Sequence, residues 1–103
     1  QYKRRPWVVV SADSLHQRMP IVQAVPLTTR LHKAQGFLAS RIEIAWVDVV
    51  ANEEGTPLTG DAVALTEQVR VLAHERLDGQ PAGRCSQAAM SRIDAGLRFV
   101  LRL

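Results

Sequence analysis

The stretch DAVALTEQVRVL, residues 61–72, constrains the fold more than any other segment. Val63, Leu65, Val69 and Val71 recur with the period of two that puts side chains on one face of a strand. Glu67 falls in the same series. A carboxylate on an apolar sheet face is costly unless it is paired. Either a bulge turns Glu67 outward, or a specific partner meets it.

The rest of the chain supplies further strands and a cover for them. WVVVS (7–11) is short and β-branched, a buried strand. ADSLHQRMP (12–20) carries turn and capping chemistry, one helical turn capped by Asp13. IVQAVPLTT (21–29) reads as the next strand, and Pro26, which donates no hydrogen bond, argues for an edge or a bulge near its end. Residues 30–39 read as a loop turning at Gly36. From Arg41 the pattern alternates, with Ile42, Ile44 and Trp46 on one face and Arg41 and Glu43 on the other. ANEEGTPLTGD (51–61) is a long polar loop.

After a turn at LDGQPAG (77–83), the segment SQAAMSRIDAGLRFVLRL (86–103) changes to a helical period. Ser86 is the expected N-cap, and Met90, Ile93, Leu97, Val100 and Leu101 form an apolar stripe that Gly96 weakens slightly. The order predicts a small α+β domain, with a barrel-like sheet of antiparallel strands and a C-terminal amphipathic helix.

A chain of 103 residues supports one domain, and a hydrophobic share of 47% is too high for a disordered one. No apolar run approaches the ~20 residues needed to span a bilayer. Cys85 is the single cysteine, which excludes an internal disulfide and a cysteine cage for a metal, and fits a reducing cytoplasm. The net charge of +3 permits a polyanionic partner without requiring one. Lys3, Arg4 and Arg5 crowd one segment and Arg30, His32 and Lys33 another, while acidic residues fall mostly later. Gln1 is not an initiator and leads almost directly into a strand, so a preceding N-terminal segment is expected.

Taken together, RRPWVVVSADS, AVPLTT, DAVALTEQVRVL and GRCSQAAMSRIDAGLRFVLRL resemble the MazF/PemK toxin family, with the blocks in the family's order over about half the chain. The resemblance implies a compact SH3-like/CcdB-like barrel of antiparallel strands with a C-terminal amphipathic helix, a homodimer, and sequence-specific cleavage of single-stranded RNA without a metal or cofactor. It implies residues 1–103 as one toxin domain lacking the family's first strand and the loop after it. It also implies a cognate antitoxin whose acidic, extended tail covers the RNA groove, and a cytoplasmic location. The family's catalytic arginine precedes the proline of the Val-rich strand, here Arg5; its catalytic threonine is the first of the pair after Pro-x, here Thr28. In one branch the acidic residue before Gln is also catalytic, here Glu67. Lys3, Arg4, Thr29 and Arg30 are the expected RNA-binding neighbours. Trp7 stands where relatives more often have a small aliphatic residue.

Metal-free cleavage uses the substrate's own 2′-hydroxyl, which attacks the adjacent phosphorus and expels the 5′-oxygen. The protein must align the attack, stabilise the equatorial oxygens and manage two protons. The planar guanidinium of Arg5 suits charge stabilisation, and its pKa above about 12 makes it a poor acid. The Thr28 hydroxyl can donate to a non-bridging oxygen. Glu67 is the candidate base: burial would raise its pKa, whereas pairing with Arg5 would lower it.

Without the resemblance each residue has a plainer reading. Arg5 is then a solvated strand end, Thr28 a β-former, and Glu67 a bulge residue. His16, His32 and His74 are surface groups. Trp7 and Trp46 could stack bases, but core packing is the simpler account. A gyrase-poisoning toxin of the same fold and a non-catalytic RNA- or protein-binding barrel are the rival functions. The ending RFVLRL, without a tryptophan-bearing helix, disfavours the first.

Overall fold

β-Branched residues cluster at 8–10, 21–29 and 42–50, and strands form at each of these places. The computed structural model describes residues 6–31, 39–51, 60–77 and 83–103. Its elements are β1 (Trp7–Val9), α1 (Asp13–Arg18), β2 (Ile21–Thr28), β3 (Arg41–Ile44), β4 (Val49–Ala51), β5 (Ala62–Leu65), β6 (Arg70–Ala73), β7 (Gly83–Cys85) and α2 (Gln87–Leu101). Short 3-10 turns occupy Trp46–Asp48, Thr66–Gln68 and His74–Arg76. The N-cap of α1 is Ala12 without a side-chain bond; Asp13 is the first helical residue and not the cap.

All strand pairs are antiparallel. β2 is the hub. β1 lies along one edge of it, while β6 and then β5 lie along the other; β3 continues beyond β5. β4 and β7 form a separate two-stranded ribbon. The expected α+β class holds, with antiparallel strands and a C-terminal helix. Among the described residues the main sheet is open, ending at β1 and β3, and is not a closed barrel.

Residues 61–72 are not one strand. Ala24 pairs with Arg70 and Leu27 with Ala64, so Val25 and Pro26 alone face the longer segment Leu65–Val69. Pro26 has no N–H to offer the ladder, and the surplus residues coil into the turn Thr66–Gln68. The expected bulge is therefore on the partner, and β2 is central, not an edge. The shared apolar face breaks with it: Val63 and Leu65 are buried, whereas Val71 is 54% exposed. β5 is buried on both faces, which is why Ala62 and Ala64 are apolar as well.

One face of the sheet packs on α2. Val8, Val25, Leu27, Ile44, Ala62 and Ala64 meet Ala89 and Ile93 there. Ile44 and Ile93 are fully buried, and each such side chain stabilises the fold by roughly 1.5–3 kcal/mol. Ser86 caps α2 as expected, its hydroxyl accepting from the Ala89 N–H at 3.1 Å. Leu101, placed on the stripe by its spacing, is 52% exposed, at the last residue of the helix. Trp46 sits in a 3-10 turn beyond β3 and is 53% exposed, so it is not a core residue.

Gly96 has a positive reason to be in α2. A Cβ there would stand 2.9 Å from Thr66 Oγ1, 3.0 Å from Thr66 Cγ2 and 3.3 Å from Ile42 Cγ1. Thr66 is fully buried, and its hydroxyl and N–H both donate to the Ser40 carbonyl, so it cannot yield. Overpacking costs about 1–3 kcal/mol. It outweighs the ~1 kcal/mol that Gly→Ala gains in helix propensity. Gly96→Ala is expected to lower the urea midpoint, and Gly96→Val to lower it further; a raised midpoint in the alanine variant would contradict this packing.

Candidate functional site

The strand registers place the functional candidates on the face of the sheet opposite α2. Thr28 pairs with Val63, which pairs with Glu43; Leu65 pairs with Arg41; Trp7 pairs with Pro26. Cross-strand partners point the same way, and positions two apart share a face. Val63 and Leu65 form a small buried cluster of their own on this side.

Thr28 ends β2 and is half-buried. Its Oγ1 accepts the backbone N–H of Arg30 at 3.2 Å, a local turn that terminates the strand. The hydroxyl oxygen is thereby held while its O–H proton stays available for donation. Thr29 and Arg30 follow, both exposed. Lys3, Arg4 and Arg5 lie outside the described residues, as does His32. Pro6, the residue after Arg5, is fixed: its carbonyl accepts the N–H of Leu27, next to Thr28, at 3.0 Å.

Glu67 lies in the 3-10 turn after β5, and among the described residues its partner is Arg41; Arg5, the partner weighed from the sequence, lies outside them. Arg41 Nε and Nη2 converge on Oε2 at 3.0 and 2.9 Å, and Gln68 Nε2 approaches the same oxygen at 3.4 Å. Oε1 is closed to solvent and makes no hydrogen bond among the described residues. Burial pushes the carboxyl upward. The Arg41 hydrogen bonds, a backbone bond, the Arg41 charge and Ser40 together outweigh it, holding Glu67 below the usual carboxylate value. Glu67 is thus ionised at neutral pH and a weak base. No bond joins it directly to Thr28 among the described residues.

Arg41 is the site residue that sequence reasoning missed. The alternation at 41–44 places it on a polar face, and a lone carboxylate at 67 calls for a cation. Which cation answers is set by the pairing of Arg41 with Leu65. Trp7, expected in the core, is half-buried, with the Arg70 guanidinium 5.9 Å from its ring centroid. His74 is exposed, in the turn after β6. The Cys85 thiol is pushed upward, first by burial and then by the charge of Asp48, so it is a poor nucleophile at neutral pH. Among the described residues no three His, Cys, Asp or Glu side chains gather as a metal site. No helix among them is long and apolar enough to cross a membrane.

The depressed carboxyl fixes the sign of a pH effect. A group whose folded pKa is lowered contributes stability above its unfolded pKa and loses it as pH falls through the folded one. The stability of the native chain relative to Glu67→Gln should therefore shrink below the ordinary value of 4.5. In Arg41→Met the ¹³C-carboxyl titration of Glu67 should move upward, because the largest lowering influence is gone; an unmoved titration would show that Arg41 does not hold it.

The family model for a PemK-like, MazF-like toxin of type II toxin–antitoxin systems matches residues 1–101. No curated protein matches the chain. An endoribonuclease from a mycobacterial species superimposes with a TM-score of 0.68 at 24% identity, over 96% of this chain and 81% of that one. A mycobacterial endoribonuclease in complex with its cognate antitoxin gives 0.71 at 24% identity, over 99% and 84%. The Mycobacterium tuberculosis toxin MazF-mt6 gives 0.76 at 16% identity, over 100% and 91%. At such identities the structural likeness speaks for the fold, and the match along the sequence speaks for kinship: the chain belongs to the family of PemK-like, MazF-like toxins of type II toxin–antitoxin systems.

Proposed function

We propose that the chain is a sequence-specific endoribonuclease toxin that cleaves single-stranded RNA without a metal, leaving 2′,3′-cyclic phosphate and 5′-hydroxyl ends. The observation that carries this reading is the strand end at Thr28. A hydroxyl locked by Arg30, with its proton free to donate, stands beside the anchored residue that follows Arg5. A threonine donor and a guanidinium are a fitting pair for the non-bridging oxygens of a phosphate.

In this reading the 2′-hydroxyl loses its proton to Glu67 or to water, and its oxygen attacks phosphorus. The bond to the 5′-oxygen breaks, and the departing oxygen takes a proton from water. Arg5 stabilises the charge that builds on the equatorial oxygens, and Thr28 orients them. Glu67 is ionised, the form a proton acceptor needs, but its bonds to Arg41 lower its basicity and with it its share of the rate. Lys3, Arg4, Thr29 and Arg30 contact the backbone of the RNA. The partner that silences the toxin is a cognate antitoxin with an acidic, extended tail, and the working form is a cytoplasmic homodimer. Exposed Phe99, Leu101 and Leu103 at the end of α2 favour such self-association.

Cleavage of a long mixed-sequence RNA in EDTA, with the new ends mapped, tests the reading. Arg5→Ala should lower the rate by about 10²–10³, as loss of a transition-state donor does. Thr28→Ala should cost less, and Glu67→Gln about tenfold, below the usual share of a general base. Binding should weaken as salt rises, since phosphate contacts release counterions. Cleavage at scattered sites, or undiminished in Arg5→Ala, would overturn the assignment.

A further inference from the structure

We propose that Trp7 and Arg70 form a stacking platform for one unpaired base of single-stranded RNA, about one nucleotide from the phosphate held at Thr28. This rests on the RNA reading above. β1 and β6 flank β2 on opposite edges, with Trp7 opposite Pro26 and Arg70 opposite Ala24. From these positions the two side chains meet above β2, the guanidinium carbon 5.9 Å from the indole centroid, within the ~6 Å range of a cation–π contact. Together they roof Ala24 and Pro26, both of them fully buried. A roof needs only apolar bulk, yet this one ends in an exposed cation that no described carboxylate pairs with.

Arg70 thus lies against an indole with its side chain open to solvent. Guanidinium planes and aromatic rings are the surfaces on which splayed RNA bases stack. Pro26 and Thr28 share a face of β2, about 7 Å apart at two residues of strand rise. A strand of RNA anchored by its phosphate at Thr28 therefore passes the platform with its next base. The positive charge favours the approach of RNA, and the guanidinium and indole, lying one over the other, offer flat faces on which a base can stack.

The test uses the full chain with Trp46→Phe, which leaves Trp7 as the only indole, and a mixed-sequence RNA with every 2′-hydroxyl methylated so that it binds without being cut. Trp7 emission should change on binding, and Arg70→Ala should weaken affinity about tenfold, the loss of one stacked base. Arg70→Lys keeps the charge but not the plane, and should weaken affinity nearly as much with an unchanged salt dependence. Both changes are at an exposed position, so folding is not at stake. Full binding by Arg70→Lys, or an unaltered Trp7 emission while RNA binds, would overturn the platform and leave the ribonuclease reading standing. No RNA binding by any form would overturn both.

Discussion

Thr66 is the contact on which the rest of the structure depends. Its hydroxyl and N–H both donate to the Ser40 carbonyl, tying the turn after β5 to the start of β3. Its side chain meets α2 where Gly96 leaves room. One fully buried side chain thus joins the sheet, the bulge and the helix. Buried polar groups are costly unless satisfied, and Thr66 is placed where its partner is already waiting. The bulge itself follows from Pro26, whose missing N–H leaves the central strand unable to keep a continuous ladder with residues 61–72.

Electrostatics on the far face follow from this arrangement. The Ser40–Thr66 bonds hold Arg41 and Glu67, each one residue further along, at ion-pair distance. Both are partly exposed, so their worth lies less in stability than in orientation and in keeping the carboxylate charged. A second ion pair, Arg92 to Asp48 at 3.6 Å, links α2 to the turn before β4, and Arg92 also donates to the Glu43 carbonyl. The helix is thereby tied to both edges of the region that carries β3.

Most of the architecture was legible in local patterns. The β-branched runs at 7–11 and 21–29 became β1 and β2, and the helix after Ser86 has the cap and stripe that its spacing called for. The errors fall where long-range contacts override local pattern. Val71 has the right spacing for a core face but lies beyond a turn that reverses its environment. Trp46 continues an alternation that the backbone abandons after Ile44. For the candidate site, Thr28 and Glu67 stood out in the sequence, one by resemblance and one by an improbable charge. Arg41 did not, because an arginine opening an amphipathic strand is what any exposed edge would carry.

The sequence by itself determined β1, β2, β3 and α2, the kinship of the chain and the anomaly of a charge at position 67, because periodicity, capping and composition are properties of short segments. Only the tertiary structure decided which cation answers, where the long strand breaks and which aromatic faces outward. Those outcomes depend on register between segments far apart in the chain; Arg41 and Glu67 are 26 residues apart. Register is a balance among whole strands, fixed here by a proline, a buried threonine and a glycine that lets a helix come close.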